Sequence, residues 1–162
     1  MADPPRAEPS EAPRQFKPGD RLAHYEILHE IGRGGMGAVY RARHVHLETD
    51  VAIKVLRTED AHDPEHRIRF VREARAAARV QHDHVIQVLH VSDTDPLHIV
   101  MELVEGETLQ QLLSREKKLS LGRSLELLVP VMAAVQAAHD RGVIHRDLKP
   151  ANVVLPGGEV AR

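Results

Sequence analysis

An α+β fold is predicted for this chain of 162 residues, with a strand-rich first half and a helical second half. Three observations carry that prediction. Across residues 25–56, short β-branched runs alternate with turn chemistry, the pattern of successive strands. One amphipathic helix opens at Asp63-Pro64. After Ser120 the apolar residues take up helical spacing and hold it to about Arg141.

Residues 1–18 are rich in Pro, Ala and charge, with almost nothing to bury, and are expected to form a disordered tail. The strands begin with Tyr25-Glu26-Ile27-Leu28, which leads into a glycine cluster. Residues 38–43 and 51–56 follow as two more. Asp63 is a good N-cap and Pro64 suits the first helical position. Ile68, Val71 and Arg75 continue that helix to about Val80. Residues 85–91 and 97–103 read as two further strands, joined by the polar turn 92–96. Thr108 caps a short helix through Leu113.

Ser120 caps the long helix and Gly142 stops it. Its apolar residues form two stripes. One is Leu121, Leu125, Leu128, Met132 and Val135; the other is Leu127, Val131, Ala134 and Ala138. A helix apolar on two sides expects neighbours on two sides. Pro130 removes one ladder bond and is expected to kink it. Residues 153–155 and 159–160 flank Pro156-Gly157-Gly158 as a final hairpin.

Composition excludes several function classes. Net charge is −2, so no basic excess points to nucleic acid or an anionic membrane. The chain has no Cys, which rules out disulfides and Cys-based zinc sites and fits a cytoplasmic setting. The most apolar stretch, 125–138, is interrupted by Glu126, Pro130 and Gln136, and no membrane-spanning segment is expected. The His44/His46, His62/His66 and His82/His84 pairs have ligand-like spacing, but no Cys or carboxylate constellation completes a metal site; exposed histidines are expected.

Gly32-Arg33-Gly34-Gly35-Met36-Gly37-Ala38-Val39 fits G-x-G-x-x-G-x-V. Backbone N–H groups in such a loop can approach phosphate oxygens because no Cβ obstructs them. Alone, the pattern also fits a flexible turn between strands. The residues that follow favour a strand rather than the helix of a dinucleotide site, and Ala38-Val39 stands where a P-loop needs Lys-Ser/Thr. Lys54, in Val51-Ala52-Ile53-Lys54, reads alone as a solvated lysine, and Glu73 as a surface charge on the Asp63-capped helix. In the loop after the long helix, Asp147 can accept a proton from a hydroxyl, and the Asn152 amide oxygen suits a hard cation.

His145-Arg146-Asp147-Leu148-Lys149-Pro150-Ala151-Asn152 joins the glycine loop and the lysine strand as a third signature in order. Together they resemble the bacterial serine/threonine kinases of the eukaryotic type across residues 20–162. The resemblance implies a kinase-like fold: a small β-rich N-lobe with one long helix over 19–103, a hinge at 104–106, and the beginning of a helical C-lobe over 107–162. It implies ATP and Mg²⁺ as cofactors and proteins with Ser/Thr acceptors as substrates. Gly32, Gly34 and Gly37 would cover the phosphates, with Ile31 beside them. Lys54 and Glu73 would pair. Met101 would be the gatekeeper, with the Glu102 carbonyl and Val104 N–H on the adenine edge. Val39, Ala52 and Val154 would sandwich the adenine. Asp147 would be the catalytic base, Lys149 would neutralise the transferred phosphate, and Asn152 would ligate Mg²⁺.

The sequence reaches Arg162 before the family's Asp-Phe-Gly triplet. The C-lobe is therefore expected to be incomplete, residues 20–103 to fold and 107–162 to be loose. One stripe of the long helix would lack a partner and favour self-association. The alternative function is a catalytically inactive fragment that binds nucleotide or a partner.

Overall fold

In the computed structural model, residues 15–34, 37–57 and 63–157 are described. The first half is a six-stranded antiparallel sheet. Its strands are β1 (Arg21–Leu22), β2 (Tyr25–Gly34), β3 (Gly37–His44), β4 (Asp50–Leu56), β5 (Val88–Ser92) and β6 (His98–Glu102), in the order β1-β2-β3-β4-β6-β5. Strand alternation sorts the side chains onto two faces. Tyr40, Ala42, Val51, Ile53, Val55 and Val100 pack on one, with Leu22 and Ile27. Helix α1 (Pro64–Ala77) covers part of the other, seating Phe70 and Ala74 against Leu56, Leu97 and Ile99.

The tail expected over 1–18 lies outside the described residues as far as residue 14. Its end departs from that expectation. Phe16 is half-buried, edge-on to Tyr40 at a centroid distance of 5.7 Å, and its N–H donates to the Tyr40 hydroxyl at 3.4 Å. One large aromatic is enough to anchor a segment whose other residues are polar.

The second half is β7 (Gly106–Thr108), α2 (Leu109–Glu116), α3 (Leu121–His139), a 3₁₀ turn (Pro150–Asn152) and β8 (Val154–Pro156). All three helix caps read from the sequence form. The Asp63 carboxylate accepts from Glu65 N, Thr108 and Gln111 complete a capping box, and the Ser120 hydroxyl accepts from Arg123 N. Helix α1 ends at Ala77, three residues before its expected end, and α3 runs continuously through Pro130. Leu127 packs in a core with Leu109, Leu112, Val153 and Leu155. The opposite stripe is open: Leu121, Leu125, Leu128 and Met132 are all exposed. By length and composition alone, the 19 residues of α3 would suffice to cross a membrane; none was expected to. Strand β8 pairs with β7, Thr108 opposite Val154. The second arm expected for a final hairpin, 159–160, lies outside the described residues.

Gly37 opens β3 at φ +150°, and a Cβ there would collide with the carbonyl oxygen of Val55. Gly37→Ala is therefore expected to destabilise the β3–β4 ladder by more than about 1 kcal/mol. A lower denaturation midpoint with unchanged slope would show it; an unchanged midpoint would contradict the clash.

Candidate functional site: one sheet face and the loop after α3

Cross-strand register places Val39, Ala52, Lys54 and Met101 on one face. Gly32 pairs with Val39, Val39 with Lys54, and Lys54 with Ile99, which makes one row across four strands. The next row on the same face contains Ala52 opposite Met101. Directly opposed residues, and residues two apart on a strand, project to the same side. Val39, Ala52, Lys54 and Met101 therefore share the face that α1 covers only in part. Gly34 pairs with Gly37 where the chain turns, and Ile31 is exposed near the end of β2. The tip of that turn, Gly35 and Met36, lies outside the described residues.

The linker from β6 to β7 leaves the sheet beside Gln87. Glu102 is anchored twice to Gln87: its N–H donates to the Gln87 carbonyl at 3.0 Å, and its Oε1 accepts from Gln87 N at 2.9 Å. Val104 is half-buried, and among the described residues its N–H meets no backbone acceptor. Val154 sits between Val153 and Leu155, which are buried in the lower core, so alternation turns Val154 to the other side.

Lys54 and Glu73 are not brought together. Among the described residues no ion pair joins them, and Glu73 is exposed while its neighbour Ala74 is buried against the sheet. Each helical residue turns the side chain by about 100°. With Phe70 and Ala74 facing inward, Glu73 lies about 60° from Phe70 and about 100° from Ala74, on the flank of that contact.

The loop after α3 is tightly organised. The helix ends through a Gly142 turn at φ +71°, with Val143 N donating to Ala138 O at 2.9 Å. Arg146 adopts φ +60°, a left-handed conformation that costs a non-glycine residue about 1 kcal/mol or more. Beyond it Asp147 Oδ2 meets Lys149 Nζ at 2.9 Å. Asn152 Nδ2 donates to the Asp147 carbonyl at 2.8 Å and to its Oδ2 at 3.0 Å. The 3₁₀ turn fixes this spacing, with Asn152 N donating to Lys149 O. With its Nδ2 committed inward, Asn152 keeps its amide oxygen for a hard cation, to which oxygen donors are suited. Among the described residues no group of three His, Cys, Asp or Glu could hold a metal.

The Lys149 ammonium, then the Asn152 amide, hold the Asp147 carboxyl below its ordinary pKa. The carboxylate therefore stays charged to lower pH than an ordinary aspartate. Because the folded pKa is depressed, its contribution to stability is present above the unfolded pKa and is lost as pH falls through the folded one. Lys149→Met is expected to raise the Asp147 pKa toward the ordinary range in a carboxyl ¹³C NMR titration. An identical titration would remove Lys149 as the cause.

One pair was invisible in the sequence: Arg41 on β3 meets Glu105 in the linker, Nη1 to Oε1, at 2.8 Å. No local pattern marks a contact between residues so far apart in the chain.

The protein kinase domain family matches residues 25–160. The serine/threonine-protein kinase pkn3 of Myxococcus xanthus is 44% identical over 140 residues, covering 85% of this chain and 26% of pkn3. PknB of Mycobacterium tuberculosis is 39% identical over 136 residues, covering 81% of this chain and 22% of PknB. The crystal structure of the Mycobacterium tuberculosis PknI kinase domain superposes with a TM-score of 0.78 at 35% identity, over 91% of this chain and 61% of that one. The chain thus spans about a quarter of the curated relatives it matches. The α+β arrangement of a β-rich sheet lobe followed by helices is that of the kinase fold. The chain belongs to the protein kinase domain family.

Proposed function

We propose that this chain supplies the nucleotide cleft and catalytic loop of a protein serine/threonine kinase, which transfers the ATP γ-phosphate to Ser or Thr hydroxyls of proteins. The hydrogen-bonded cluster of Asp147, Lys149 and Asn152 carries this reading. Val39, Ala52 and Ile31 form the roof over the adenine and Val154 the floor. Met101 backs the pocket, while the Glu102 carbonyl and the Val104 N–H face the adenine edge. Gly32, Gly34 and Gly37 lie over the phosphates, which Lys54 contacts. Asn152 would hold Mg²⁺ through its amide oxygen, and the ion would neutralise phosphate charge when bound.

Asp147 orients the acceptor hydroxyl and takes its proton. The hydroxyl oxygen bonds to the γ-phosphorus, the bond from that phosphorus to the β,γ-bridging oxygen breaks, and ADP leaves. Lys149 balances charge on the transferred group. Closure of the Lys54–Glu73 pair requires α1 to turn Glu73 inward.

Two observations favour a second reading, a module that binds nucleotide or a partner without transfer. Glu73 is exposed with no ion pair to Lys54 among the described residues, and one apolar stripe of α3 is exposed. Calorimetric titration with MgATP, followed by incubation with γ-labelled ATP and a Ser/Thr-rich acceptor protein, separates the two. Binding with transfer supports the kinase reading, binding without transfer the module, and no binding removes both nucleotide readings.

A further inference from the structure

Arg41 has no role in the nucleotide site described so far. It pairs directly with Ala52, and Ala52 pairs with Met101, so Arg41 leaves the sheet on the cleft face. From there its guanidinium has two partners. Nε donates to Asp50 Oδ2 on β4 at 2.8 Å, and Nη1 meets Glu105 Oε1 at 2.8 Å. Glu105 follows Val104 in the linker, and its backbone is held too: its carbonyl accepts from Gly157 N, just past β8, at 3.1 Å. Glu105 thus connects the six-stranded sheet, through its side chain, to the β7–β8 pair, through its backbone. Gly106 permits the close approach, because a Cβ there would collide with the carbonyl oxygen of Leu155.

We propose that Arg41 and Glu105 clamp the linker, fixing the gap between Ala52 above and Val154 below and the direction of the Val104 N–H. Both are positioning residues, and their effect on nucleotide binding rests on the cleft reading above. The carboxylate of Asp50 is 16% exposed and that of Glu105 69%. Asp50 is therefore the anchored end of the clamp and Glu105 the adjustable one. An exposed ion pair contributes little stability by itself. Its influence comes from holding the linker in its binding geometry before the ligand arrives.

The test uses the full chain with two variants and two readouts. Adenosine is the probe, because it is uncharged and reports the adenine end without the phosphates. Glu105→Gln is expected to weaken adenosine binding roughly two- to fivefold, the range of an exposed pair. It should also speed amide exchange at residues 104–106. Glu107→Gln, which removes a carboxylate paired with Arg115 on α2, should change neither. Unchanged linker exchange in Glu105→Gln overturns the clamp whether or not adenosine binds, and so does equal acceleration by both variants. A wild-type chain that binds neither adenosine nor MgATP sinks the cleft reading instead; selective acceleration by Glu105→Gln would then still support the clamp.

Discussion

Asp147→Asn is expected to lower phosphoryl transfer by about 10²- to 10⁴-fold, the range of a lost general base, while MgATP still binds. The substitution keeps the size of the side chain and an oxygen for the Asn152 amide to reach. It removes the proton acceptor and the anion that Lys149 faces at 2.9 Å. Because Asp147 is 63% exposed and outside any core, the unfolding midpoint should hardly move. Parallel measurement of transfer rate and MgATP affinity checks this. Transfer at the wild-type rate would remove Asp147 from the site, and loss of binding together with transfer would make it a structural residue.

Lys54→Met is expected to lower kcat/KM for ATP by about 10²- to 10³-fold, the scale of one lost charge-stabilising group in a phosphate site. Methionine fills much the same volume on a half-buried strand position flanked by Val55 and Ile53. Its unbranched, adaptable side chain should leave the fold intact. Lys54 stands in the same row as Val39 and Gly32, which is where a cation can reach phosphates lying under the glycine turn. Unchanged kinetics in Lys54→Met would take Lys54 out of the site, and with it Glu73, the partner that the family resemblance implies for it.

What the sequence made legible is what depends on neighbours along the chain. Asp63, Thr108 and Ser120 cap their helices because capping is an interaction across two or three residues. Asp147, Lys149 and Asn152 lie within six consecutive residues, and the 3₁₀ turn Pro150–Asn152 capped by Lys149 folds Asn152 back toward Asp147. The two stripes of α3 separate as their spacing implied, one holding the buried Leu127 and Ala134 and the other exposed from Leu121 to Met132.

Features that depend on distant partners were not legible. Strand β5 begins at Val88 rather than at residue 85, because its pairing with β6 starts at Val88 opposite Met101. Strand β8 takes β7 as its partner, across all of α2 and α3. The docking of α1, which leaves Glu73 exposed, seats Phe70 against Leu97 and Ile99. Helical spacing gives the apolar face of α1 but not the angle at which it docks. The Arg41–Glu105 contact belongs to the same class.

The most direct measurement is phosphoamino-acid analysis of an acceptor protein after incubation with γ-labelled ATP, Mg²⁺ and either the wild-type chain or Asp147→Asn. Label on serine or threonine with the wild type, and none with Asp147→Asn, is the expected result. Equal label with both proteins, or none with a wild type that binds MgATP, would contradict a catalytic role for the Asp147–Lys149–Asn152 cluster.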